Sequence, residues 1–403
     1  MKGVEQLKKD VLFIMNKLVC GGAEKSLISL LETIDYSKYN VDLFLFKHEG
    51  IFLQKIPNEV NLLPEPVNYK FFDMSYMKSF KVLIKNLNLR TAVNRTVLGY
   101  LAKTEAKGAV IEQKLWPYLS KSLDKIQKKY DVAIGFQEKN PIYFCVDHVK
   151  AKTKIGWIHT DYDKLEVDRN KDKVYFNKLD YLVTVSDELV NNLNKNFPEY
   201  KNKIKCIHNI VSSRMIKKLA QEEVNFKDQN NNAISLISVG RLAKEKGLDI
   251  TLEAFDILVK KGLDINWYLI GEGNVRKELE QDIKSKNLVN RVKFLGVKDN
   301  PYPYIRESDI YIQTSRYEGK SISIDEAKIL AKPILITNFT TANNHIINGF
   351  TGIIADMNSE SVATKLEILV KDRELRQKLV KKLKKEEFGT VNEIMKIYDL
   401  IKT

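Results

Sequence analysis

The chain alternates short, continuous apolar runs with longer stretches in which apolar residues recur every three or four positions. Runs of four to eight β-branched, aromatic and leucine residues read as strands buried on both faces, and the helical period between them reads as helices covering those faces. In the first half the predicted strands are 11–16 (VLFIMN), 41–46 (VDLFLF), 131–136 (DVAIGF), 154–159 (KIGWIH), 181–186 (YLVTVS) and 203–208 (KIKCIH). The second half repeats the scheme at 234–240 (ISLISVG), 265–271 (INWYLIG), 291–296 (RVKFLG), 309–315 (DIYIQTS) and 333–338 (PILITN). This alternation predicts an α/β fold built on parallel sheets.

Between the halves, residues 212–233 (SSRMIKKLAQEEVNFKDQNNNA) lose the strand pattern and end in an Asn-rich stretch. A domain boundary is therefore expected near 210–230. At 403 residues the chain exceeds the usual size of one core, so two Rossmann-like, doubly wound domains are expected, 1–210 and 211–385, with a C-terminal helix in 386–403 packing back toward the first. In such folds ligands bind beyond the carboxyl ends of the strands, and with two domains the expected site is the cleft where they face each other.

Composition narrows the functional classes. With 44% apolar and 29% charged residues the chain is expected to be globular. Its three cysteines, Cys20, Cys145 and Cys206, form no C-x-x-C pair and have no nearby histidine cluster, so a reducing, cytoplasmic setting without a zinc site is expected. The apolar run near the start (VLFIM) is too short for a signal-peptide core or a membrane span. The net charge of +14 asks for an acidic partner: nucleic acid, an anionic membrane surface or a phosphorylated small molecule. Residues 78–130 carry much of that excess, with 12 Lys/Arg against 3 Asp/Glu.

Candidate chemistry follows the strands. After 234–239 comes GRLAKEKG, which places Arg241 and Lys246 on a loop entering a helix near Gly247. Two cations beside a helix N-terminus suit a diphosphate, because guanidinium, ammonium and unpaired backbone N–H groups all favour the anion. After 309–315 comes RYEGKSISIDEAK, with Glu318 on a second loop and Glu326 inside the next helix, seven residues between them. Gly319, Lys320 and Ser321 are expected to present further free N–H groups there.

Together, SVGRLAKEKG, the 77-position step from Arg241 to Glu318, and SRYEGKSISIDEA resemble the retaining nucleotide-sugar glycosyltransferases of family 4, which have the GT-B fold, in particular bacterial enzymes building surface or capsular polysaccharide. GGAEKSLISLL at 21–31 and GWIHTD at 156–161 are similar to the family's first glycine-rich turn and its histidine segment. The resemblance implies an acceptor-side first domain and a nucleotide-sugar-binding second domain. It implies that Glu318 contacts the donor sugar, that Glu326 binds the ribose, and that Arg241 and Lys246 hold the diphosphate. His159 would reach across the cleft to the sugar or the reaction centre, and the backbone of Gly21 and Gly22 would approach the phosphates or acceptor. Gly319, Lys320 and Ser321 would complete the donor site. The implied partners are a UDP- or GDP-sugar and a glycan or lipid-diphosphate acceptor, the latter bringing the enzyme to the inner face of the membrane.

No metal or other cofactor is expected, since cations already face the diphosphate and no Asp-x-Asp ends a strand; DYD at 161–163 fits a loop better. The GEG turn at 271–273 is read mainly as a tight turn, and His48, His148, His208 and His345 as structural or surface residues. NNHIING at 343–349 lacks the family's common acidic residue. Competing readings are a sugar-nucleotide epimerase of the same fold and a catalytically silent partner subunit. A nucleic-acid binder is disfavoured because no recognition motif accompanies the lysines.

Overall fold

All eleven apolar runs contain strands in the computed structural model, which describes residues 8–19, 21–85, 89–104, 109–227 and 233–402. Cys20 and Leu87 lie outside the described residues, as do the side chains of Arg90, Leu98 and Leu101. The chain divides into two compact units, the first formed by Met1–Val19, Ala23–Asn209 and Asn392–Thr403, the second by Cys20–Gly22 and Ile210–Val391.

Among the described residues the first unit holds seven strands: β1 (Lys9–Met15), β2 (Tyr39–Leu45), β3 (Val60–Leu62), β4 (Lys129–Gly135), β5 (Lys150–Ile158), β6 (Tyr181–Thr184) and β7 (Ile204–Cys206). They pair in parallel in the order β3-β2-β1-β4-β5-β6-β7. The second holds β8 (Ile234–Val239), β9 (Ile265–Ile270), β10 (Val292–Gly296), β11 (Ile310–Gln313), β12 (Ile334–Thr337) and β13 (Ile353–Ala355), parallel in the order β10-β9-β8-β11-β12-β13. Both orders are those of doubly wound sheets. The apolar pattern misses β3 and β13, three-residue edge strands too short to show a period.

Burial explains why the runs read so clearly. In the second unit Leu236, Ile310, Ile312 and Leu335 are fully buried against Leu252, Phe255 and Leu258 of the helix Leu248–Lys260. Each such side chain contributes about 1.5–3 kcal/mol on leaving water. In the first unit Phe44, Phe46, Phe144 and Trp116 form an aromatic cluster, Phe44 stacking on Phe144 at 4.4 Å.

The helix Ile394–Lys402 packs within the first unit. Ile394, Ile397 and Ile401 form its buried stripe, Tyr398 stacks on Tyr39 at 5.0 Å, and Lys9 Nζ donates to the Ile401 carbonyl at 2.8 Å. No helix among the described residues is long and apolar enough to cross a membrane.

The basic segment 78–130 is less of an open face than its composition suggests. Leu83 and Trp116 are core residues, and Arg95 is buried, donating to the carbonyls of Phe71 and Met74 at 3.0 Å each. What remains exposed on the helix Tyr76–Lys85 is Met77, Lys78, Lys81, Ile84 and Lys85, whose spacing places them on one helical face.

Candidate functional site

In the second unit β8 lies between β9 and β11, so the strand order reverses at its junction with β11. The chains leaving these two strands diverge to opposite sides of the sheet, and a crevice at their carboxyl ends is the consequence. The two candidate loops are the ones that leave there: residues 240–247 after β8 and 314–321 after β11.

The loops are fastened together along their backbones. Gly247 adopts φ +60°, and a Cβ at that position would lie 2.0 Å from the Thr314 carbonyl oxygen, so only glycine permits this approach. Thr314 Oγ1 donates to the Gly247 carbonyl at 2.6 Å, and Thr251 Oγ1 lies 2.7 Å from Thr314 Oγ1. Arg316 N–H donates to the Glu245 carbonyl at 2.8 Å, while its guanidinium forks onto Asp249 at 2.8 and 2.6 Å.

This zipper sets Lys246 against Glu318. Lys246 Nζ lies 2.6 Å from Glu318 Oε1, and the same oxygen accepts from Gln313 Nε2 at 2.7 Å and Ser315 Oγ at 2.6 Å. Three donors on one oxygen hold the carboxylate in a single orientation, and Oε2 takes none of these bonds. Thr341 Oγ1 fixes the Glu318 carbonyl at 2.8 Å. Gln313 is oriented in turn by the hydroxyls of Tyr311 (2.8 Å) and Ser321. Gln313, Ser315, Thr341 and Tyr311 are not among the residues expected from the sequence, although Gln313 and Ser315, polar residues ending an apolar run, carry the available signal.

The other expected residues fall less uniformly. Arg241 is on the same loop but its side chain is 67% exposed and paired with Glu245 at 2.9 Å. Glu326 sits in the helix Ile322–Ile329, only 1% exposed, with Tyr302 OH donating to Oε1 at 3.0 Å. Tyr311 is itself buried, and desolvation, with the Glu326 carboxylate adding to it, pushes that phenol's pKa well up. Lys320 pairs with Asp325 at 3.3 Å. Ser321 departs from expectation: its N–H points at His345 Nε2, 3.5 Å away, so it is not one of a set of free N–H groups. His345, read as structural or surface, is buried, and desolvation pulls its pKa down to about 4, which keeps the ring neutral. The GEG turn is structural in its geometry, since Cβ atoms at Gly271 and Gly273 would meet the carbonyls of Gly240 and Leu242 at 1.9 and 2.0 Å.

In the first unit His159 directly follows β5. Its backbone N–H and that of Thr160 both donate to Glu138 Oε1, at 2.6 and 2.7 Å. Its Nε2 lies 3.2 Å from the Phe136 carbonyl, which can only accept, so Nε2 carries the proton and Nδ1 is the acceptor. Burial lowers the ring's pKa, favouring the neutral form. Gly21 and Gly22 lie where the chain passes from β1 into the helix Gly22–Leu31. The DYD carboxylates serve the loop: Asp161 accepts from the Asp163 N–H at 3.1 Å, and Asp163 accepts from Asn192 and Asn196 at 2.8 and 2.9 Å.

The chain is similar in sequence and in fold to known proteins. Residues 220–386 match the family described as glycosyl transferases group 1. An alpha-D-kanosaminyltransferase of Streptomyces kanamyceticus is 30% identical over 147 residues, 36% of this chain and 38% of that protein. An N-acetylgalactosaminyltransferase of Campylobacter jejuni acting on a diphospho-undecaprenol-linked sugar is 25% identical over 209 residues, 51% of this chain and 55% of that protein. The chain spans about half the length, or less, of the curated relatives it matches first. The crystal structure of the HepE protein of Anabaena with UDP and glucose superposes over 98% of this chain and 100% of that one, with a TM-score of 0.68 at 17% identity, which shows a shared two-domain fold.

Proposed function

We propose, for a chain whose residues 220–386 match glycosyl transferases group 1 and whose fold is GT-B, that it is a retaining glycosyltransferase using a nucleotide diphosphate sugar. The observation that carries this reading is the Lys246–Glu318 pair at the strand-order reversal of the second unit, held by Gln313 and Ser315. Breaking a glycosyl phosphate bond builds negative charge on the departing diphosphate and positive charge on the sugar carbon. Lys246 and Arg241 supply the cations for the first, and Glu318 is the acceptor for the sugar hydroxyls. Glu326 binds the ribose. Retention follows if the acceptor hydroxyl attacks from the face the diphosphate leaves, its proton passing to the departing phosphate oxygen as the new glycosidic bond forms. His159, neutral with Nδ1 as acceptor, is assigned to the donor sugar, and Gly21–Gly22 to the phosphates or acceptor.

Stabilisation by a panel of UDP- and GDP-sugars tests the reading. One nucleotide sugar should raise the Tm and be slowly hydrolysed in the absence of acceptor, whereas no response to any member would refute it. Transfer is expected to proceed without magnesium or manganese. Activity that returns only when either ion is added back would overturn that expectation.

The acceptor is proposed to be a glycan or a lipid-diphosphate-linked sugar, in bacterial surface polysaccharide or glycoconjugate synthesis, and the protein to be cytoplasmic and peripheral on the inner membrane face. The helix Tyr76–Lys85 supports this, with Lys78, Lys81 and Lys85 flanking exposed Met77 and Ile84. Each lysine near an anionic bilayer contributes about 1 kcal/mol. Sedimentation with anionic vesicles should therefore fall as salt rises and fall again in a Lys78/Lys81/Lys85→Gln variant. Equal sedimentation with neutral and anionic vesicles at low salt would remove the membrane role.

A further inference from the structure

We infer that the carboxyl ends of β6 and β7 form a zinc site built from Asp187, Cys206 and His208, beyond anything the transfer reaction requires. The sequence shows only the C-x-H pair. Folding adds the carboxylate, because Asp187 opens the helix Asp187–Asn196 that follows β6, and β6 and β7 are parallel neighbours. One ligand atom from each of the three residues lies within 4.8 Å of the other two. Cys206 Sγ is 3.9 Å from His208 Nε2.

The ring's other nitrogen faces a carboxylate, as it does in many metal-bound histidines. His208 Nδ1 lies 3.5 Å from Glu393 Oε2, and the same oxygen accepts the His208 backbone N–H at 2.9 Å. A carboxylate behind Nδ1 favours the imidazole with Nε2 forward, the usual outer partner of a zinc-ligating histidine. Zinc bonds of about 2.0–2.3 Å put neighbouring tetrahedral ligand atoms roughly 3.3–3.8 Å apart, so a few tenths of an ångström and one rotation of the exposed Asp187 side chain close the shell. Thiolate, imidazole and carboxylate together favour zinc over magnesium or calcium, which prefer oxygen ligands. On binding, the Cys206 S–H bond breaks, its proton passes to solvent and an S–Zn bond forms; no redox partner is involved. Water fills the fourth position on the exposed side.

Such an ion would do structural work. Glu393 lies in the segment that returns to the first unit just before the helix Ile394–Lys402, so the metal would fasten that segment to the end of β7 through His208.

The full-length protein, stripped with chelator and dialysed, is titrated with zinc against a chromophoric chelator and, separately, with cobalt. One zinc per chain, a rise in Tm and a thiolate-to-cobalt absorption band in the near ultraviolet are expected. Cys206→Ser should abolish the band, Asp187→Asn should weaken zinc at least about ten-fold, and Glu393→Gln should weaken it about 10- to 100-fold. Asp187 is exposed, so its variant should keep the metal-free Tm of the parent even if Cys206→Ser folds poorly. A wild-type protein without the cobalt band, or zinc affinity unchanged in Asp187→Asn, would overturn the site.

Discussion

Lys246→Ala is expected to lower turnover by about 100- to 1000-fold, because a preorganised donor to a developing negative charge is typically worth about 3 to 4 kcal/mol in the transition state. The structure adds a reason for expecting the larger end of that range. Lys246 both faces the proposed diphosphate position and takes part in orienting Glu318, so its removal costs a cation and loosens a carboxylate at once. Arg241→Ala should fall at the lower end, since that side chain is largely exposed and must be drawn in from its pairing with Glu245. Transfer rates with the identified donor decide the matter, with circular dichroism confirming the fold. Near wild-type turnover in both variants would remove the assigned diphosphate site.

The second large effect separates the two glutamates. Glu326→Gln should weaken UDP or GDP by about 10- to 100-fold, the equivalent of a charge-assisted hydrogen bond of about 1.5–3 kcal/mol. Glu318→Gln should leave nucleotide affinity essentially unchanged and lower kcat instead, because its proposed partner is the sugar. Glutamine is the right replacement at 326, where a truncated side chain would leave the half-buried Tyr302 hydroxyl without this acceptor. Calorimetry with bare nucleotide, set beside turnover, reads the division directly. Equal losses of affinity in both variants would show that the roles are misassigned.

Much of this site is legible in the amino-acid sequence. Arg241, Lys246, Glu318 and Glu326 stand on loops or helices that follow recognisable apolar runs, and doubly wound folds place ligands at such carboxyl ends. Less legible are the residues that hold these groups in place. Gln313 and Ser315 belong to the apolar run itself, and their role is set by the 2.6–2.7 Å contacts they make with Glu318. The same limit applies to Arg95 and Trp116. By composition they join a basic, partly apolar face, yet one donates to carbonyls at Phe71 and Met74 and the other is a core aromatic.

What the sequence by itself determined is the local grammar: which runs become strands, where helices start, and which loops carry charge. These follow from periodicity and burial, and both act within a few residues along the chain. Only the tertiary structure decided strand order, the pairing of Lys246 with Glu318 across 72 positions, and the meeting of Asp187 with Cys206 and His208. Register and adjacency come from non-local hydrogen bonding between strands, and no short-range pattern encodes which parallel neighbour a strand will choose. That is why the proposed zinc site, which spacing along the chain argues against, emerges once β6 and β7 lie side by side.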